Sequence, residues 1–423
     1  MRYKFGREPR TEALRASALN VFGSWLADRR SRDLSAGAEL SHARKLASAG
    51  SGLQELYLLQ LVASLDERRG AYSSAEAEWR TALLRLEQVP HTEQTRLAIQ
   101  GNLAVTLRKA GDALQARDLQ TKVLERRTEL LGPKHAETIE SLDNLGVTLA
   151  ALGDFAGAIS RHEQAVSLYS EVRGPGDPDT LVAMANLASA LRRGGRVKEA
   201  LELNTKLLEL RAKVLGPNHP GTLCAAEGLA VSLSELGQPT QALPLLKAAA
   251  EGLEQVRGPD DPTTLSVRHN LGRALIETGQ GQEGHALAAE VFDRQERVLG
   301  LSHPDTLLTL ETCVFAGREP GHLVYDPRFK SKAAEALKAL SSSMGPKHPR
   351  TTACAWDLYL MLESDPNRRT ETVALVDSYL AWLLTTPPQE LEASQRTILG
   401  QFARTEDGLF RLVVARLSPG GKT

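Results

Sequence analysis

The chain has 423 residues, with 51 Lys and Arg against 52 Asp and Glu, a net charge of −1, and 4% aromatic residues. That length exceeds what one compact core usually reaches, so several domains or an open repeat array are expected. The balanced charge gives no electrostatic ground for nucleic acid or an anionic membrane as partner, and three scattered cysteines, Cys224, Cys313 and Cys354, exclude a disulfide framework and fit a reducing, cytoplasmic setting.

From the N-terminus, MRYKFGREPRTEALRAS carries early positive charge with no apolar run behind it. No signal peptide is expected there, and no stretch of the chain reads as a membrane span. Arginine outnumbers lysine, which points to a GC-rich bacterial source. Residues 1–52 are expected to form capping helices, including a hairpin over 11–49. A second hairpin over 53–89 turns at Gly70 and directs Ala75, Trp79 and Ala82 inward.

Beyond it a period emerges. Gly132, Gly174, Gly216, Gly258 and Gly300 are 42 residues apart, and Gly345 follows after 45. The same step relates Asn102-Leu103-Ala104, Asn144-Leu145-Gly146, Asn186-Leu187-Ala188, Gly228-Leu229-Ala230 and Asn270-Leu271-Gly272, and also the turn glycines 111, 153, 195, 237 and 279. Within residues 180–215, Leu181, Met184, Leu187, Ala188 and Leu191 fall on one helical face. Gly194-Gly195 interrupts the run, and Val197, Ala200, Leu201, Leu207, Leu208 and Val214 line a second amphipathic helix. Neither helix can bury its stripe alone, so the hairpins must stack on one another.

The phrase that closes each unit recurs as LGPKHAETI, RGPGDPDTL, LGPNHPGTL, RGPDDPTTL, LGLSHPDTL and MGPKHPRTT. Its histidine alternates with aspartate: His135, Asp177, His219, Asp261, His303. Leu131, Leu215 and Leu299 stand before the glycine in the histidine copies, Arg173 and Arg257 in the aspartate copies. A residue so exchanged fills a structural slot rather than a catalytic or metal-binding one. The glycine ends the long helix, the proline blocks its continuation, and Thr138, Thr180, Thr222, Thr264, Thr306 and Thr351 are expected to cap the next helix. The alternation implies an 84-residue double unit.

The Leu-Gly or Leu-Ala pair, the turn glycine, and Ala158, Ala200 and Ala242 five residues beyond it resemble the tetratricopeptide repeat. The 42-residue unit with its Leu-Gly-Pro-x-His-Pro-x-Thr linker resembles the repeats of kinesin light chains and their bacterial relatives over residues 95–315. The resemblance implies an all-α, right-handed superhelical solenoid of antiparallel hairpins. It also implies a concave groove that holds a protein or an extended peptide, in an adaptor, scaffold or regulator. No heptad segment for a motor and no nucleotide-switch module is read in the sequence, so the chain is expected to stand alone or to control a separately encoded effector. No His-Glu-x-x-His, Cys-x-x-Cys or Gly-x-Ser-x-Gly occurs, so neither an enzyme nor a cofactor or metal site is expected.

In that family the residue before the Leu-Ala pair faces the concave wall, which implies peptide-binding roles for Asn102, Asn144, Asn186 and Asn270, with Gly228 interrupting the ladder. An amide both donates and accepts, so it can grip a peptide backbone or, alternatively, bond a neighbouring repeat. Arg108, Lys109, Arg193 and Arg273 lie on or near the same face, with Arg192, Glu235 and Glu277 close by. They either favour an acidic ligand in the N-terminal half or merely offset helix dipoles. Towards the C-terminus, residues 316–350 read as a degenerate repeat with an enlarged loop, GREPGHLVYDPRF at 317–329, either a binding surface or a decayed repeat. Residues 351–423 read as capping hairpins, with Trp356 and Trp382 in their cores. The cysteines read as buried packing residues.

Overall fold

In the computed structural model the described residues are 53–68, 71–88, 92–301, 303–315 and 327–344, with isolated positions 351, 354–356 and 398–399. They form fourteen α-helices and no strand. In chain order these are α1 (Leu53–Arg68), α2 (Tyr72–Leu86), α3 (Glu93–Ala110), α4 (Ala113–Leu131), α5 (Ala136–Ala151), α6 (Phe155–Arg173) and α7 (Pro178–Arg193). There follow α8 (Val197–Leu215), α9 (Pro220–Glu235), α10 (Pro239–Arg257), α11 (Pro262–Glu277), α12 (Gly281–Leu299), α13 (Pro304–Phe315) and α14 (Pro327–Met344).

Every helix packs on its predecessor and its successor, and the first helices of neighbouring hairpins (α3, α5, α7, α9, α11, α13) also touch one another in series. The second helices approach each other less, so the first helices occupy the inner side of the superhelix and the second helices the outer. The core follows this stacking. Ile139, Leu142, Ala165, Tyr169 and Ala183 form one buried cluster across two hairpins, and Leu181, Met184, Leu207 and Ala225 form the next. Each fully buried side chain of Leu size contributes about 1.5–3 kcal/mol, so stability is distributed along the stack. Ala75, Trp79 and Ala82 are buried in the first described hairpin. On the second helix Ala200 and Leu207 are buried, but Val214 is 50% exposed.

The linkers correct the expected capping. The N-caps of α5, α7, α9 and α11 are His135, Asp177, His219 and Asp261, not the threonines. Nδ1 of His219 accepts from the Gly221 N–H at 3.0 Å, and Oδ1 of Asp261 accepts from the Thr263 N–H at 2.9 Å. His135, Asp177 and His303 make the same i+2 bond. Neutral imidazole and carboxylate are interchangeable here because both offer an acceptor to an orphan helix N–H. The threonines lie inside the first turn and are buried. There Thr180 and Thr222 donate back to the carbonyls of Gly174 and Gly216 at 2.9 and 2.7 Å. Thr351 is buried too. Gly216 holds φ 91 and ψ 159, a region open essentially to glycine, so the linker can turn directly out of the helix.

The coupled Leu/His and Arg/Asp alternation has a physical cause. Arg173 lies 3.8 Å from Asp177 and also pairs with Asp179. Arg257 stands 3.8 Å from Asp261 and donates to Thr263 at 3.1 Å. Where the cap is histidine, an uncharged leucine takes the arginine's place. Replacing His219 with alanine is expected to lower stability by about 1 kcal/mol, and replacing it with aspartate to leave stability nearly unchanged. Denaturant unfolding of the two variants checks this.

Candidate functional site

The inner wall is the candidate site, and its first-helix positions can be followed unit by unit. Asn102, Asn144, Asn186 and Asn270 all lie half-buried on the inner helices α3, α5, α7 and α11, in register. Their surroundings divide them into two kinds. Asn186 Nδ2 donates to Asp143 Oδ2 at 2.7 Å, and Asn270 Nδ2 donates to Glu227 Oε1 at 2.7 Å. In both pairs the carboxylate sits 43 residues upstream, on the neighbouring first helix. For Asn144 that upstream position is Gly101, and for Asn102 it is Leu59, neither of which offers a side-chain acceptor. Among the described residues no side-chain bond is made by the amides of Asn102 or Asn144. Two asparagines therefore tie repeats together and two remain able to bond a ligand.

The carboxylates of the ties were not singled out in the sequence. Asp143 also accepts from Nδ1 of His162 at 2.6 Å, and because a carboxylate only accepts, that ring nitrogen carries the hydrogen. His162 is 1% exposed and lies against α5 where Gly146 stands, a Cβ there coming within 2.7 Å of its Cε1. That close approach explains the glycine of the Leu-Gly pair. One hairpin later, at the position equivalent to His162, Asn204 reaches forward from α8 to the Gly228 carbonyl and to Ser232 Oγ, both at 3.0 Å. It fills the space beside Gly228, where the asparagine ladder is interrupted. The signal in the sequence was an acid at 143, 227 and 311, 84 residues apart, each one residue before the ladder position.

Burial pushes the carboxyl of Glu227 up, with the hydrogen bonds from Asn270 and Ser266 opposing it, and burial does the same to Glu311. His269, in register with Asp143 and Glu227, is driven down to about 4 by burial, with Arg273 adding to the effect. It is neutral at neutral pH and its Nδ1 lies 3.1 Å from Thr309 Oγ1. The basic residues are mostly engaged. Lys109 pairs with Glu67 at 2.9 Å, Arg192 with Glu235, and Arg273 lies 3.6 Å from Glu277. Arg108 is half-buried at the end of α3 and also has interactions within the chain. Arg193 is exposed, with its guanidinium over the Phe155 ring at 5.3 Å.

Other expectations fare unevenly. Cys354 is buried, but Cys224 and Cys313 are only partly so, and burial pushes the Cys224 thiol up. Trp356 is buried, while Trp382 lies outside the described residues. So do the expected N-terminal capping helices, most of the C-terminal hairpins, and residues 317–326 of the enlarged loop; its last residues, 327–329, begin α14 instead. Among the described residues no three metal-ligating side chains converge, and no helix is long and apolar enough to cross a membrane.

Known proteins place this wall in context. A tetratricopeptide repeat model matches residues 95–171, 144–213, 179–255 and 223–283, and a second one matches residues 264–305. No protein of curated function matches the chain. A kinesin light chain with nearly identical repeats from Podosopora anserina is 28% identical, over 49% of this chain and 98% of its own, with a TM-score of 0.43. The Rap conjugation gene regulator of plasmid pLS20, solved with the Phr* peptide, is 16% identical over 74% of this chain and 80% of its own, with a TM-score of 0.52. A Rap protein complexed with competence and sporulation factor is 14% identical over 86% of this chain and 98% of its own, with a TM-score of 0.51.

The two kinds of asparagine should respond differently to truncation. Asn186→Ala leaves the buried Asp143 short of a donor and is expected to cost about 1–3 kcal/mol. Asn144→Ala, which breaks no bond within the chain, is expected to change stability by less than about 0.5 kcal/mol. Parallel urea unfolding curves check the contrast.

Proposed function

The chain belongs to the tetratricopeptide repeat family, and we propose that its inner wall binds an extended peptide, or an extended segment of a partner protein, as a non-enzymatic adaptor or scaffold in the cytoplasm. The observation that carries this reading is the pair of uncommitted amides, Asn102 and Asn144, side by side on adjacent inner helices. A peptide backbone offers donors and acceptors to both, and each amide bond so made contributes about 0.5–1.5 kcal/mol. Arg193 adds an exposed cation that forms no ion pair among the described residues and can pair with a carboxylate on the ligand. Lys109 and Arg273 would act only after exchanging an intramolecular partner, and Arg108 only after leaving its own contacts. Asn186 and Asn270 contribute by fixing the pitch of the wall.

A second reading is a peptide-sensing regulator that controls a separately encoded effector by changing superhelical pitch. The shared fold with Rap proteins, one of them solved with the Phr* peptide, favours it. Its ties Asp143–Asn186 and Glu227–Asn270 connect units that a ligand could draw together.

A displayed peptide library selected on the wild-type chain, then measured against Asn102→Ala/Asn144→Ala and Arg193→Ala variants of unchanged helicity, tests the proposal. Affinity is expected to fall at least about tenfold in the double variant. Equal binding by both chains would remove the wall amides from the reading, and a ligand-dependent change in scattering radius would favour the regulator.

A further inference from the structure

At Asp143 the two carboxylate oxygens each take one hydrogen, from Nδ1 of His162 at 2.6 Å and from Nδ2 of Asn186 at 2.7 Å. The three positions 42 residues earlier hold Gly101, Gln120 and Asn144, so both donors recur there and the acid does not. Gln120 is 2% exposed, and among the described residues neither polar atom of its amide has a hydrogen-bond partner. Its counterparts on the next two outer helices place it. His162 reaches back to Asp143, and Asn204 reaches forward to the Gly228 carbonyl. The counterparts of those two targets are Gly101 on α3 and Asn144 on α5, and Gln120 lies between them. A Cβ added at Gly101 would meet nothing within 4 Å beyond its own helix, whereas one at Gly146 would strike the His162 ring and one at Gly228 would come within 3.3 Å of Asn204. Gly101 and Asn144 are both only half-buried, so the space is reached from the inner wall. Burying an amide without partners is costly, and a ligand that bonds it offsets the cost.

We propose that the space beside Gly101 is a carboxylate-binding niche, in which an acid of the ligand takes the place that Asp143 fills one hairpin later; this deepens the reading of the inner wall as a peptide site and rests on it. Nε2 of Gln120 and Nδ2 of Asn144 donate to the two oxygens of the bound acid, as His162 and Asn186 donate to Asp143. The filled tie selects the ligand's chemistry, because a carboxylate only accepts and both flanking positions supply an N–H. Charge is tolerated in this setting. The chain holds Asp143 against the like charge of Glu140, three residues before it on α5. Before Gly101 the same position is Ala98, and Glu140 stands instead on the neighbouring helix, one turn before Asn144.

Acetate, which has the atoms of the side chain that Gly101 lacks, is the probe. Titrated into the full chain at constant ionic strength, it is expected to shift the side-chain amide resonances of Gln120 and Asn144, saturating within the range of about 1–100 mM that suits so small a ligand. Gly101→Asp is expected to abolish that response. It should also unfold at a higher denaturant concentration than Gly101→Ala, although aspartate is the weaker helix former, and lose that advantage when Asn144→Ala is added. Gln120→Leu, for which Leu246 three hairpins on is the precedent, is expected to weaken the Asn144 response at least about fivefold; should Gly101→Asp not fold, this variant decides alone. A blocked pentapeptide with a central aspartate, set against an all-alanine pentapeptide with a free C-terminus, distinguishes a side-chain acid from a terminal one, and displacement of acetate by either supports the niche. Resonances unmoved by acetate, or moved by methylammonium in its place, overturn it, as does a Gly101→Asp chain less stable than Gly101→Ala. Library peptides that bind without competition from acetate would remove the niche and leave the wall reading, whereas acetate binding with no peptide selected would do the reverse.

Discussion

Each hairpin presents an apolar stripe on both of its helices and has only the next hairpin to bury it against. Everything else follows from that dependence. Because Leu181 and Met184 are buried by Leu207 and by Ala225 of the following unit, no unit is a closed core, and the chain extends in one direction. Small residues at the helix crossings let the two helices of a hairpin approach closely. Gly146 admits the His162 ring, and Gly272 stands where a Cβ would come within 3.2 Å of the Gly284 carbonyl. The first helices, touching one another in series, form a continuous wall.

Stacking alone would be indifferent to which unit follows which. The polar ties are not. Asp143 needs Asn186 and Glu227 needs Asn270, and in both cases the acid is on one type of unit and the amide on the next. Buried carboxylates left without donors cost more than the net gain of making the bond. The ties thus fix the order and the relative rotation of neighbours. The linkers carry the same alternation in Arg173 with Asp177 and Arg257 with Asp261, against Leu215 with His219. The working period is accordingly two hairpins, and the wall's free amides lie where the alternation lacks an upstream acid.

The period and the helix–turn–helix unit were legible in the sequence because glycine and proline mark turns and because helical spacing marks faces. Three features were not. The threonines looked like caps because their propensity for that position is high, but the histidine or aspartate three residues earlier reaches the free N–H first, leaving Thr180 and Thr222 to bond the linker from within the turn. The asparagines looked equivalent because their own register is uniform; what separates them is a residue 43 positions away, and only stacking brings the two together. Val214 looked like core because it continues the apolar stripe, yet half of it is exposed, and periodicity marks a face without showing how much of that face a neighbour covers.

Two internal deletions separate a two-hairpin period from indifferent stacking. Removing residues 178–261 joins Asp177 to Pro262 and sets Asn270 opposite Asp143, restoring the tie. Removing residues 178–219 sets Gly228 there instead and leaves Asp143 without an amide. Denaturant unfolding should show the shorter chain, lacking 84 residues, to be at least as stable as the one lacking 42. Were the longer chain clearly the more stable, as a simple sum over identical hairpins requires, the polar ties would not be what orders the stack.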